Sequence, residues 1–235
     1  MVSNGLAKSR EQANSLLMSG NVFINEKRVE KAGQQVKTDS KIEIKGKTYP
    51  WVSRGGIKLE KAILEFKLNC DLIIALDIGA STGGFTDVLL ARGAKKIYAV
   101  DVGYGQLDWR LRQNERVIVK EKTNARFLTD QIIKDPLDAI VCDASFISLK
   151  KVLPSGLSLL KTKGWLAALI KPQFEVGKGL VGKGGVVRDP ELHQEVVADI
   201  KNWLQHDMKM YLSGVVESPI LGPSGNKEFV IVANK

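Results

Sequence analysis

Residues 76–90 read LDIGASTGGFTDVLL, and the fold follows from how this stretch is parsed. An apolar strand runs into Asp77. A turn rich in glycine follows, and a helix with apolar periodicity starts near Gly83. Such a turn brings backbone close to a ligand at the switch point of an open parallel sheet. A purely structural turn would use the same glycines, Gly79, Gly83 and Gly84. Two familiar ligands are excluded by detail. A dinucleotide fingerprint needs G-x-G-x-x-G, and with Gly79 first its second glycine falls on Ser81. A P-loop needs Gly-Lys-Ser/Thr, and this turn holds no lysine.

Outward from this unit, helices and strands alternate. Buried-strand runs are expected at 72–78, 97–100, 117–119, 139–142, 165–170, 215–216 and 229–232, with helices at 84–92, 149–160 and 189–206. Alternation of this kind predicts an α/β fold with a parallel, doubly wound sheet. The last two strands are joined only by a loop containing Pro219, Gly222 and Pro223, which suits an antiparallel hairpin. A seven-stranded mixed sheet with one antiparallel strand resembles the Rossmann-like fold of class I methyltransferases. This domain is expected to span 57–235. A linker is expected at 48–56, where Pro50 and the Gly55-Gly56 pair interrupt the periodicity.

Residues 1–47 read as a small α+β unit carrying nine Lys or Arg against five Asp or Glu. Ser9 with Gln12 forms a capping box, and the helix runs through Ala13, Leu16 and Leu17 to a stop at Gly20. A strand at 22–24, a turn at 25–27 and a strand at 42–44 follow. The stretches GLAKSREQANSLLMSGNVFINEKRVEKAGQQV (5–36) and DSKIEI (39–44) resemble the alpha-L RNA-binding domain. That module usually opens with a further helix turn of the form R-L-D-x-x-L; here only Met1 to Asn4 precede Gly5, a shortened start. The resemblance implies RNA contact, with Lys8, Arg10, Lys27 and Arg28 placed against phosphates. Arg54, beside the glycine pair, suits either a phosphate or an acidic side chain.

Composition sets the outer bounds. The 235 residues are 44% hydrophobic, enough for a packed core, and the net charge of +9 suits an anionic partner, a nucleic acid or a membrane surface, as well as plain solubility. Two cysteines and two histidines make neither a disulfide framework nor a histidine-rich metal site, so no metal is expected. There is no run of membrane-spanning length, and the opening MVSNGLAKSR lacks the apolar core of a signal peptide. A soluble, cytoplasmic protein is expected.

The form D-x-G-x-x-x-G-G resembles motif I of methyltransferases. Asp101 ends the next strand, 22 residues after Gly79, where a carboxylate can accept from both ribose hydroxyls of S-adenosylmethionine. The resemblance implies a cofactor site from Asp77, Gly79, Ser81, Gly83, Asp101, Asn124, Ala125 and Asp143, with Asn124 and Ala125 near the adenine. Asn124 is also an ordinary turn residue. The end of the fourth strand narrows the choice of acceptor. Cys142-Asp143-Ala144-Ser145-Phe146 lacks the (N/D)-P-P-(Y/F) slot of amino-directed enzymes, and Cys142 inside a strand reads as a structural thiol.

Lys58, Asp143, Lys171 and Glu228 stand at helix or strand ends. In this order they resemble the K-D-K-E tetrad of FtsJ/RrmJ-like ribose 2′-O-methyltransferases. Singly, each suits a surface ion pair. A ribose hydroxyl must lose its proton near the moment of attack, and a lysine can take it only when neutral, a form favoured by desolvation and a neighbouring ammonium. The resemblance implies Lys171 as base beside Lys58, with Asp143 and Glu228 orienting them. The glycine-rich stretch 175–187, EVGKGLVGKGGVV, suits a lid or a plain surface loop.

Taken together, the alpha-L module, SRGGIKL, DIGASTGGFTD, VDVGYGQL, CDASFISL, LIKPQFE and GPSGNKEF resemble, in order and over essentially the full chain, the TlyA family of rRNA methyltransferases, also called haemolysin A. The family implies 2′-O-methylation of cytidine, with ribosomal RNA or ribosomal subunits as partner. Two other classes stay open at this point: a membrane-lytic protein, and an RNA-binding protein without methyltransferase activity.

Overall fold

The computed structural model describes residues 1–7, 10–18, 20–29, 33–37, 40–44 and 49–235, and divides into two units, Met1–Arg54 and Gly55–Lys235. In the first, helix α1 (Arg10–Met18) stops at Gly20, where φ is 72°. The N–H groups of Gly20 and Asn21 return to the carbonyls of Leu17 and Leu16, as a left-handed helix end requires. Strands β1 (Val22–Ile24), β2 (Lys27–Arg28) and β3 (Ile42–Ile44) form an antiparallel sheet in the order β2-β1-β3. Asn25 and Glu26 both have positive φ and make a two-residue hairpin, so Lys27, expected in the turn, already pairs in β2. Lys8 and the expected cap Ser9 lie outside the described residues.

The second unit runs α2 (Gly55–Phe66), β4 (Ile74–Ile78), α3 (Gly84–Ala91), β5 (Lys96–Val100), α4 (Trp109–Arg112), β6 (Val117–Lys120), β7 (Leu137–Cys142), α5 (Leu149–Val152), α6 (Pro154–Ser158), β8 (Leu160–Ile170), α7 (Pro172–Glu175), α8 (Pro190–His206), β9 (Tyr211–Glu217) and β10 (Phe229–Asn234). Its seven-stranded sheet has the order β6-β5-β4-β7-β8-β10-β9, and β10 alone runs antiparallel, to both neighbours. Alternate strand residues feed two apolar layers. Leu76, Ile78, Ile140, Leu166 and Ile170 pack with Leu153, Leu157, Ile200 and Leu204 of α6 and α8 and the link between α5 and α6. The opposite face is covered by α2 and α3, through buried Leu59, Ile63, Val88 and Leu89. A parallel sheet needs this double cover.

Several boundaries depart from the expected ones. Gly55 and Gly56, assigned to the linker, are the first two residues of α2. First-turn N–H groups have no intrahelical partner, so glycine is tolerated there. The single helix expected at 149–160 is two short ones, because Pro154 lacks an N–H and restarts the helix. Strand β8 then begins at Leu160, earlier than the expected Trp165. Leu72, expected in a strand, has φ 56° and belongs to the turn before β4.

Topology assembles the site. Strand β4 pairs with β5 on one side and β7 on the other, which makes its carboxyl end the switch point of the sheet. Asp77 lies in β4, and Asp101, Asp143 and Lys171 each follow the last residue of β5, β7 and β8. The reversal of β10 pairs Phe229 with Ile170, so Glu228, just before β10, arrives at the same edge.

A tight point of this edge is Gly79. Its φ is 78°, and a Cβ there would stand 2.9 Å from the Ala144 Cα, which is backbone that cannot swing aside. Gly79→Ala is expected to cost about 1–3 kcal/mol from the left-handed conformation alone. It should also push the β4 turn off the residues after β7, lowering both the thermal midpoint and ligand affinity. Unchanged values for both would contradict this account of the turn.

Candidate active site

The turn after β4 is held by its own backbone. Gly79 and Ala80 donate to the Val100 carbonyl at 2.9 and 3.1 Å, and Gly83 donates to Ala80 at 2.7 Å. Ser81 sits at φ 47°, and its N–H donates to Asp101 Oδ2 at 2.8 Å. Gly103 N donates to Asp101 Oδ1 at 2.7 Å. Asp101 therefore reaches the site already fixed by two backbone donors. Each oxygen keeps one lone pair, enough for the two hydroxyls expected of it.

Beside Asp101 opens a cavity of about 470 Å³ at the switch point, lined among others by Gly79, Ser81, Gln106, Asn124, Ala125, Arg126 and Asp143. Six of the expected cofactor residues thus line one cavity: Gly79, Ser81, Asp101, Asn124, Ala125 and Asp143. Asn124 also makes the turn, since its Oδ1 accepts from Arg126 N at 3.1 Å.

Two expected residues do not line this cavity. Gly83 caps α3 at φ 96°, and a Cβ there would run into the side chains of Leu111 and Leu107. A glycine here allows the close packing of these two leucines. Asp77 is fully buried below the turn. Thr86 Oγ1 donates to Asp77 Oδ2 at 2.6 Å, while Oδ1 has no hydrogen-bond partner. Burial pushes the Asp77 carboxyl up to about 7, against the hydrogen bond from Thr86. The same burial pushes the Cys142 thiol up to about 12, which fits a structural cysteine.

The four charged residues at the sheet edge meet. Lys58 Nζ lies 2.5 Å from Glu228 Oε2 and 3.9 Å from Asp143 Oδ2. Lys171 Nζ lies 2.6 Å from Asp143 Oδ1. It also donates to Ser145 Oγ at 2.8 Å and to the Asp143 carbonyl at 3.2 Å. The order in space is Lys171, Asp143, Lys58, Glu228, with charges alternating and cancelling. Lys58 thus stands across Asp143 from Lys171 instead of directly beside it.

A second cavity, about 270 Å³, opens against Lys171 and Glu228. Ser145 and Phe146 border both cavities. Phe146 is 89% exposed at φ 65°, and its ring packs on Phe174 with centroids 5.0 Å apart. Gly184 and Gly185 of the glycine-rich loop line the far side. That loop is tied down: Asn226, 2% exposed, donates to Gly185 O at 2.9 Å and accepts from Val187 N at 3.0 Å. A tethered wall is thus closer to the observation than the free surface loop that the sequence also allowed.

The sequence reading missed Ser145, Phe146, Phe174, Asn226 and Thr86. Thr86 carried a signal, as a polar residue on the apolar stripe of α3. The phenylalanines carried one in their place beside Asp143 and Lys171 in chain. In the first unit Arg10, Lys27 and Arg28 are exposed, Arg54 is half-buried, and Lys8 lies outside the described residues.

Comparison with known proteins places both units in known families. The FtsJ-like methyltransferase family model matches residues 51–235, and the S4 domain model matches residues 1–42. The chain is 45% identical over 232 residues to the 16S/23S rRNA (cytidine-2'-O)-methyltransferase TlyA of Mycobacterium tuberculosis, covering 98% of this chain and 86% of the relative. It is 40% identical over 230 residues to Hemolysin A of Brachyspira hyodysenteriae, covering 97% and 95%. The structure of a hemolysin candidate from Streptococcus thermophilus superposes with a TM-score of 0.79 at 41% identity, over 98% of this chain and 84% of that one. N-methyltransferase NodS from Bradyrhizobium japonicum, at 14% identity and a TM-score of 0.52 over 77% and 98%, shares the fold alone. Among the described residues no helix is long and apolar enough to cross a membrane.

Asp77 gives this site a pH signature. A carboxyl raised to about 7 by folding contributes stability that is complete below its unfolded value and lost as pH rises through 7. Asp77→Asn removes that loss and keeps an acceptor for Thr86. The variant should raise the unfolding midpoint more at pH 8 than at pH 5, and weaken binding of cationic S-adenosylmethionine at pH 8. Equal midpoint shifts at the two pH values would show that the buried charge is not what the substitution relieves.

Proposed function

The chain belongs to the FtsJ-like methyltransferase family, and we propose that it methylates the 2′-hydroxyl of a cytidine ribose in ribosomal RNA. The observation that carries this reading is the Lys171–Asp143–Lys58–Glu228 chain of charges, set where the two cavities adjoin.

S-adenosylmethionine is the methyl donor, and when bound it supplies a methyl carbon activated by a sulfonium. The residues fit it. The larger cavity lies at the switch point, the pre-set Asp101 carboxylate stands at its wall, and the orphaned Asp77 oxygen lies buried beneath the glycine turn. Asp101 takes the ribose hydroxyls, Ser81 and Gly79 offer close backbone, and Asn124 and Ala125 border the adenine end.

The smaller cavity takes the acceptor nucleotide. Phe146 and Phe174 give it an aromatic wall, a surface that suits an unstacked base. Lys171, once its own proton has passed to solvent, would take the hydroxyl proton at Nζ as the methyl group leaves the sulfur for the oxygen. Asp143, at 2.6 Å, stabilises the ammonium so formed, and Ser145 fixes the direction of Nζ. The Lys58–Glu228 pair holds the far side of Asp143. Fixed alignment of oxygen and methyl supplies much of the remaining acceleration.

The S4 domain and the exposed Arg10, Lys27 and Arg28 support RNA contact, with Arg54 adding a further cation. Lys8 completes the set expected from the sequence. The ribosomal subunit is the proposed partner form, and the cytoplasm the proposed compartment, consistent with two free, buried cysteines.

Labelled S-adenosylmethionine incubated with ribosomal subunits, followed by mapping of the modified nucleotide, tests the reading. Methyl on a base would overturn it. Lys171→Ala should reduce transfer by about 10²–10⁴-fold, the usual contribution of a general base. Cofactor affinity, measured by calorimetry, should hold, because Lys171 does not line the larger cavity.

A further inference from the structure

The smaller cavity contains a demand that the charged chain leaves unmet. Two of its lining residues hold a buried acceptor oxygen with no hydrogen-bond partner: Glu228 Oε1 and Gln173 Oε1. The first belongs to the charged chain. The second does not, and no step of methyl transfer uses it.

Gln173 is the second residue of α7, followed in the chain by Phe174, on a well-fixed base. Pro172 is buried, and Glu175 Oε1 accepts from Leu149 N at 2.8 Å, which ties α7 to the start of α5. A buried acceptor left unpaired costs about 1–3 kcal/mol, so a site that keeps one is built for a donor that arrives with the ligand. The other lining groups include Lys171 and Glu228 of the charged chain, the two phenylalanines, and Ser145, Ser224 and Asn226. A base packed on those rings would present its hydrogen-bonding edge to the short helix that carries Gln173.

Pyrimidines differ at that edge. Cytosine offers a 4-amino donor, whereas uracil presents a 4-oxo acceptor. A fixed acceptor therefore attracts one and repels the other. We propose that Gln173 is the residue that selects cytosine, its Oε1 accepting from the 4-amino group of the target base. This rests on the reading of the chain as a cytidine ribose methyltransferase.

The test compares two substrates and three proteins. Ribosomal subunits are reconstituted from transcripts carrying either cytidine or uridine at the mapped nucleotide. Transfer of labelled methyl is measured as kcat/KM for wild type, Gln173→Leu and Gln173→Glu. Wild type should favour cytidine by about 5–150-fold, the range of one good base contact. Gln173→Leu should bring the ratio near one, chiefly by slowing the cytidine substrate, with S-adenosylmethionine affinity unchanged. Gln173→Glu, which keeps an acceptor at the same reach, should restore much of the preference. If Gln173→Leu slows both substrates equally, the oxygen serves the sugar or the fold and the assignment is wrong. If wild type transfers methyl to neither ribose, the function proposed above fails and takes this assignment with it.

Discussion

The structure turns on an ion chain that water barely reaches. Lys58, Lys171 and Glu228 are 4%, 5% and 0% exposed, charges that would be expensive to bury one at a time. They are tolerable together because signs alternate through Asp143 and the sum is zero. The chain also joins four separate elements: the start of α2, the ends of β7 and β8, and the approach to β10. Satisfying the charges and closing the edge of the sheet are thus one event. This explains the reversed β10. Only an antiparallel strand beside β8 can bring a residue that precedes it to the edge where the parallel strands end.

Next to this charged chain, the larger cavity is shaped by backbone. Asp101 is held by N–H groups of Ser81 and Gly103, and the turn at Gly79 hangs on the Val100 carbonyl. Few side-chain rotamers need to be frozen when a ligand enters, so the ordering cost of binding is small. Asp77 is the exception in this layer. It holds a carboxyl under apolar cover with half its hydrogen-bonding capacity unused. A buried group that weakens the free protein at neutral pH is the kind of local conflict that ligand sites keep.

Much of this could be read from the chain, and the reasons are specific. The alternation of runs gave the sheet, and the short proline-containing link before the last strand gave its reversal. Lys58, Asp143, Lys171 and Glu228 were visible because each stands where regular structure begins or ends. What failed were features set by one residue's backbone: Pro154 splitting a helix, Leu72 turning left-handed, Gly55 and Gly56 entering one. Gly83 was assigned to the ligand because its motif groups it with Gly79. The packing of Leu107 and Leu111 against it was not legible in the chain. The spatial order of the charged residues was out of reach as well, since sequence order places Lys58 first and says nothing of Asp143 lying between the lysines.

Charge is divided between the site and the rest of the molecule. The chain carries +9, yet the four charged groups where chemistry is proposed sum to zero. The excess cation therefore lies elsewhere, where it can attract a polyanion at long range without altering the protonation of the reacting groups. Recognition and chemistry are then separable in kind. Salt should weaken the first, because exposed charges are screened, and act little on the second, because the buried chain is not. Between them stand the aromatic wall of Phe146 and Phe174 and the unpaired oxygen of Gln173. Neither long-range charge nor the charged chain can tell one base from another. Selection must come from the few groups that lie between the two, and in this fold Gln173 and Phe174 sit on the short helix that follows the proposed base while Phe146 reaches them from the loop after β7.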